Sequence, residues 1–167
     1  LEGESTAKSF QIEFNYDVFQ KWELRAAYQL NDVLIDYQKG KMQKPLQPRN
    51  TFFMNLSYES TKLESKQWKW DITFNWLSKQ RIPDTSDNPF RYQLENESES
   101  YSIINSQLTY VLSSKLEFYS GIENLLNITQ KQPIIASDDP FGDYFDTTLL
   151  YAPVLGAMYY GGIRYKI

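Results

Sequence analysis

Neither cysteine nor histidine occurs in this chain, and each absence removes chemistry. Without thiols there is no disulfide framework, no thiolate nucleophile and no cysteine metal site. Without imidazole there is no histidine ligand and no side chain whose ordinary titration falls near neutral pH. Ser-His hydrolytic constellations go with it, so the chain reads as a non-enzyme. Concentrated positive charge is missing too. The 17 Lys and Arg are scattered among 21 Asp and Glu, for a net charge of -4, which leaves no basic field to attract nucleic acid. No apolar run approaches the ~20 residues of a membrane helix. The opening residues Leu1-Glu2-Gly3-Glu4-Ser5 have neither the basic nor the apolar region of a signal peptide.

What is present is an unusual pairing. In 167 residues, one domain by length, there are 13 Tyr, 10 Phe and 4 Trp, yet the mean hydropathy is -0.56. A soluble core of this size draws on more Leu, Ile, Val and Ala. Many aromatics in a polar average suit strands with one apolar and one polar face. The sequence has that periodicity. Phe10, Ile12, Phe14, Tyr16 and Val18 alternate with Ser9, Gln11, Glu13, Asn15 and Asp17, a spacing of two that sends the sets to opposite faces. The pattern recurs around Trp22–Leu30, Phe52–Tyr58, Trp68–Trp76, Ile104–Leu112 and Leu116–Ile122, and in a last run from Ala157 to Ile167. Seven strands and no helix are expected.

The connectors alternate in length. Short ones lie near Phe19, at Ser60–Gln67 and at Ser113–Lys115; long ones are expected at Gln38–Arg49, Pro83–Tyr101 and Ile128–Leu155. A meander with short turns at one end and long loops at the other is the plan of a transmembrane β-barrel, and runs of ~9–11 residues cross a bilayer when tilted. Trp22, Tyr58, Trp68, Tyr110 and Tyr165 sit near strand ends, where an interfacial girdle places aromatics. Alternation also describes a soluble antiparallel sandwich. The loop alternation and polar faces rich in Asn, Gln, Thr, Ser and Glu favour the membrane. Single-chain bacterial barrels have an even strand number and no open edge. Seven strands are therefore expected to be part of a larger barrel, with the final strand closing against one that precedes Leu1.

The stretch Gly121-Ile122-Glu123-Asn124-Leu125-Leu126-Asn127, on the expected penultimate strand, resembles the "ENLFN"-type motif near the C-terminus of TonB-dependent outer-membrane receptors. The flanking residues 130–167 and the loop sequence "KQRIPDTSDNP" resemble those of Bacteroidetes-type members. The resemblance implies that residues 1–167 are the C-terminal segment of a plugged, 22-stranded barrel, an all-β antiparallel meander in the outer membrane. It implies import of a scarce nutrient such as a ferric siderophore, haem, cobalamin or another chelate, with no resident cofactor. The implied partners are outer-membrane lipid and lipopolysaccharide, the remaining strands and plug, a TonB-type energiser and the barrel assembly machinery. A small non-transport barrel or surface-interaction protein is the alternative.

The motif residues are Gly121, Glu123, Asn124, Leu125 and Asn127, and Tyr160, Gly162, Tyr165 and Ile167 resemble the C-terminal signal read by the assembly machinery. Asp138, Asp139, Asp143 and Asp146 could offer oxygens to a hard cation, but without an ordered ligand spacing a solvated acidic loop is expected. Glu95, Glu97 and Glu99 read as a solvated face. Lys39, Lys41, Lys44 and Arg49 form a basic loop that could meet lipopolysaccharide phosphates or an anionic ligand, with ordinary surface charge the expected reading. Glu13, Arg25, Asp71, Glu117 and Glu123 fall on the polar faces and would line the lumen.

Overall fold

The computed structural model describes residues 3–37 and 40–167. Strands β1 (Thr6–Phe19), β2 (Trp22–Tyr37), β3 (Gly40–Gln43), β4 (Asn50–Glu59), β5 (Gln67–Leu77), β6 (Tyr101–Val111), β7 (Leu116–Glu123) and β8 (Met158–Tyr165) form one antiparallel sheet. Its order is β1-β2-β4-β5-β6-β7-β8, with β3 pairing β2. All seven expected runs are strands. The eighth, β3, lies in the first long connector, where a loop was expected: Lys41 and Met42 fold back on Asp36 and Ile35, so that β2 pairs with β3 above the point where its pairing with β4 ends at Leu30–Asn50. A 3-10 turn, Phe90–Tyr92, is the sole helical element among the described residues. Leu1, Glu2, Gln38 and Lys39 lie outside them.

The short turns have local causes. Phe19 pairs with Trp22 across two residues, the register shifting between Asp17 and Phe19, and Lys21 takes a positive φ of 86° where the chain reverses. In the second turn Leu63 and Lys66 exchange backbone hydrogen bonds of 3.0 and 2.9 Å, with Glu64 at φ 57°. In the third, Ser113 Oγ accepts from the amides of Lys115 and Leu116 at 3.3 and 3.1 Å.

Register carries the alternation across the whole sheet. One row runs Phe14, Ala26, Met54, Phe74, Ile104, and the next Tyr16, Leu24, Leu56, Ile72, Ser106, Ile122, Tyr159. The opposite face carries Asn15, Arg25, Asn55, Thr73, Asn105 and then Asp17, Glu23, Ser57, Asp71, Gln107, Gly121, Tyr160. Directly opposed residues share a face, so the sheet has one apolar and one polar side. Aromatics of the apolar side gather at the short-turn end. The Trp22 ring lies 4.8 Å from Tyr58 and 6.4 Å from Trp70, and Trp68 lies 4.5 Å from Tyr110.

Among the described residues no second layer covers the sheet. The chain exposes 11751 Å², against about 8,600 Å² for a compact monomer of its mass. Phe10 is 58% exposed and Ile163 65%. Among the described residues no large side chain is fully buried, and the buried hydrophobic residues, Ile82, Ile135, Ala136 and Leu149, are all in long connectors. A two-sheet sandwich core is not what these strands build.

Two boundaries differ from expectation. β7 ends at Glu123, so Asn124 to Asn127 leave the penultimate strand and turn, with both asparagines left-handed (φ 53° and 55°). β8 spans Met158–Tyr165, which leaves Ala157, Lys166 and Ile167 beyond its paired ladder.

Candidate functional site

At the long-loop end, residues 44–49, 78–100 and 124–157 pack together as a cap. Ile82 of the second connector meets Ile135, Ala136 and Leu149 of the third, with Leu46 of the first against them. Buried polar groups join the same three segments. The Leu46 amide donates to Arg81 O at 2.9 Å; Gln80 Nε2 and the Tyr101 hydroxyl both donate to Tyr151 O, at 3.2 and 2.8 Å. Gln130, only 6% exposed, is a two-ended tie. Its Nε2 donates to Leu149 O at 2.8 Å, and its Oε1 accepts from the Tyr151 amide at 2.9 Å. Buried amides and carbonyls need partners, and here Gln80 of the second connector serves the backbone of the third, while Gln130 ties two stretches of the third to each other.

Sequence reading missed Gln130, because a single glutamine in an aperiodic loop carries no pattern. It did single out Asn124 and Asn127, whose part is now visible. Asn124 Nδ2 donates to Ile128 O at 2.7 Å and Leu155 O at 3.2 Å, while Oδ1 accepts from the Ile128 amide at 3.0 Å. Asn127 Oδ1 accepts from the Ala157 amide at 2.9 Å. The two asparagines therefore clamp both ends of the third long connector. Asparagine suits the position because it tolerates a left-handed backbone and carries a donor and an acceptor together. Leu125 is exposed, and its amide donates to Ile104 O at 2.8 Å.

Gly121 and the strand beside it belong to a second arrangement. On the polar face Gly121 opposes Tyr160, and Tyr119 opposes Gly162. Each tyrosine ring lies over the opposing glycine, where a Cβ would collide with it, and the two rings sit 6.4 Å apart. The Tyr160 hydroxyl donates to Gln107 Oε1 at 3.1 Å. Tyr160 and Gly162 are thus interlocked with β7, whereas Tyr165 is exposed on the apolar face and Ile167 stands past the last pair.

The remaining candidates do not converge. Asp138 accepts from the Tyr92 hydroxyl at 3.0 Å and lies 3.7 Å from Arg91, whereas Asp146 accepts from the Thr148 amide and hydroxyl, both at 2.7 Å. Among the described residues no three carboxylates gather for a cation. Glu97 pairs with Lys79 and Glu99 with Lys131. Arg49 lies 3.3 Å from Asp32, Lys41 is on β3 and Lys44 follows it, while Lys39 is outside the described residues. Glu13, Arg25, Asp71, Glu117 and Glu123 share the polar face. There Arg25 bonds Glu23 at 2.8 Å and Arg164 pairs with Glu117.

The cap holds a cleft of about 480 Å³ whose lining includes Arg91, Tyr92, Lys131, Pro133, Ile134 and Asp138. Desolvation first, then the bond to Asp138, pushes the Tyr92 hydroxyl pKa upward. The bond to Glu99 raises that of Lys131. Tyr92, Pro133 and Ile134 give the cleft an apolar wall, whereas Arg91 and Lys131 are already paired with Asp138 and Glu99, so it can take a group with an apolar face.

The chain is an all-β antiparallel meander with the fold of part of a β-barrel wall. Over 97% of its length it is similar to the crystal structure of the ferric-catecholate import receptor Fiu from E. coli K12 in its closed form, with a TM-score of 0.61 and 12% identity. The chain spans 21% of that receptor's length. No family model and no curated protein sequence matches it.

Proposed function

We propose that this chain is barrel wall and outer loops of a TonB-dependent outer-membrane receptor that imports a chelated nutrient. The observation that carries this reading is the uncovered apolar face in a meander similar to part of an import receptor. A one-layer sheet with an exposed aromatic face has no stable place in water, but lipid supplies its second layer. Between the aromatic row at Trp22 and the Phe10–Leu30 pair, β2 advances about 27 Å. At a tilt of roughly 40° this spans about 20 Å, close to the apolar band of outer-membrane barrels.

In this reading the polar face lines the lumen and meets the plug, and the cap lies outside the cell, where its cleft first captures the chelate. Import draws on a TonB-type energiser acting on the plug. Tyr160, Gly162, Tyr165 and Ile167 form a strand signal that the assembly machinery reads. The ligand belongs to the group of ferric siderophores, haem, cobalamin and related chelates, and the organism to the Bacteroidetes type. The test is uptake of labelled chelates by cells with and without the complete protein, in energiser-intact and energiser-deleted strains, alongside membrane fractionation. Energiser-dependent uptake by an outer-membrane protein is expected. Fractionation with soluble protein, or uptake indifferent to the energiser, refutes the proposal.

A further inference from the structure

Each short turn carries an exposed lysine: Lys21 in the first, Lys62 and Lys66 in the second, Lys115 in the third, with Lys166 directly after β8. Within those turn residues the only acid is Glu64, in a chain whose net charge is -4. Of the acids nearest by, Glu59 pairs with Lys69, Glu117 with Arg164 and Glu23 with Arg25, while Asp17 stands opposite Glu23 on the polar face of β1. None of the five lysine ammonium groups is in an ion pair among the described residues. The turn rim is therefore a band of positive charge.

Its depth is set by the strands. Lys21 adjoins Trp22, Lys66 precedes Trp68 by two residues and Lys166 follows Tyr165, so these charges stand within about 7 Å of the aromatic rows along the strands. Aromatic girdles mark the membrane-water boundary, and the level just beyond them is that of lipid phosphates. Between Lys62 and Glu64, Leu63 projects with 73% of its surface exposed, an apolar tip among cations. Lysine suits such a rim, since its stem lies along apolar surface while the ammonium reaches the headgroups.

We propose that the short-turn rim is a docking collar for anionic phospholipid headgroups of the leaflet it faces. The proposal depends on the barrel reading above. A lipid surface, rather than an acidic protein segment, is the occupant because the lysines are spread over all three turns and the end of β8 at one depth. Charges that close to an anionic leaflet attract it individually and are screened by salt.

The test uses the complete protein, purified in neutral detergent and titrated with phosphatidylglycerol or phosphatidylcholine of the same acyl chains, with bound lipid counted by native mass spectrometry. Wild type is expected to prefer phosphatidylglycerol about ten-fold at about 50 mM salt and to lose most of that preference at about 500 mM. The variant Lys21→Gln, Lys62→Gln, Lys66→Gln, Lys115→Gln, Lys166→Gln is expected to lose the preference while keeping heat-modifiable gel mobility. Should that variant not fold, Lys62→Gln with Lys115→Gln is expected to halve the preference or more. A folded wild type without the preference, or variants that keep it in full, overturns the collar alone. A wild type that forms no detergent-stable barrel overturns the barrel reading and the collar with it.

Discussion

Replacing Asn124 with alanine removes the clamp at the base of the third long connector, and its cost can be worked from the bonds. Three hydrogen bonds disappear, two donated by Nδ2 to Ile128 O and Leu155 O and one accepted from the Ile128 amide. The site is only 5% exposed, so the abandoned partners lose bonds that water does not readily replace. At about 1 kcal/mol for each bond, and roughly 1 kcal/mol for holding alanine in the left-handed conformation that Asn124 adopts at φ 53°, the total is about 4 kcal/mol. The strands do not depend on this residue, so the loss is local. Hydrogen exchange of the complete protein in detergent is the assay, because local opening has its own free energy. About 4 kcal/mol corresponds to roughly a thousand-fold faster exchange at the amides of Ile128, Gln130 and Ala157, which are bonded within the clamp and loop. Amides in the β4–β5 ladder are expected to keep their rates. Asn124→Gly separates the two contributions, since glycine accepts the backbone conformation without strain and falls short of alanine's effect by roughly five-fold. Loop exchange within about three-fold of wild type in Asn124→Ala would refute the reasoning, as would equal acceleration in the sheet.

Three further outcomes follow from the same contacts. Gly121→Ala places a methyl group against the Tyr160 ring and is expected to cost about 1–3 kcal/mol of overpacking; thermal unfolding in detergent should show that Tyr160→Ala relieves part of the cost in the double variant. Phe14→Arg, in the middle of the apolar face, is expected to destabilise the protein by about 2–4 kcal/mol in a bilayer, whereas Glu13→Arg on the polar face changes stability little; equal effects at the two neighbours would contradict the facing. The Tyr92 hydroxyl, with its pKa raised by desolvation and by Asp138, favours the closed cap only while protonated. That contribution is complete below the ordinary tyrosine value of about 10 and is lost as pH rises through the raised value, so cap exchange should accelerate in strong alkali in wild type and respond less in Tyr92→Phe.

The strands were legible because two-fold alternation survives wherever one face must be apolar, as from Phe10 to Val18 and from Trp68 to Trp76. β3 was not. Gly40–Gln43 is four residues long and pairs only with the upper part of β2, so its sequence bears no imprint of two chemically different faces. The end of β7 was also misplaced. The alternation of Ile122 and Glu123 gives no notice that Asn124 turns left-handed, and only the paired asparagines hint at it through their tolerance of that conformation. The cap is the least legible part. Its contacts join residues as far apart in sequence as Leu46, Ile82 and Leu149, and neither periodicity nor a local motif links them.

The burial pattern explains why legibility divides in this way. In the sheet, each residue's environment is set largely by its own parity, since the seven long strands share one mainly apolar and one mainly polar side. A local rule therefore suffices. In the cap, apolar residues are covered by other loops rather than by an external medium, so Ile82 or Ala136 can be buried only once distant segments arrive together. The same difference sets where mutations act. A substitution on the apolar face changes a residue's transfer from water to its surroundings, with few neighbours involved. A substitution at Asn124 or Gln130 releases backbone groups far apart along the third connector, Ile128 and Leu155 for one and Leu149 and Tyr151 for the other, so its effects are expected to spread through that connector while the sheet beneath keeps its register.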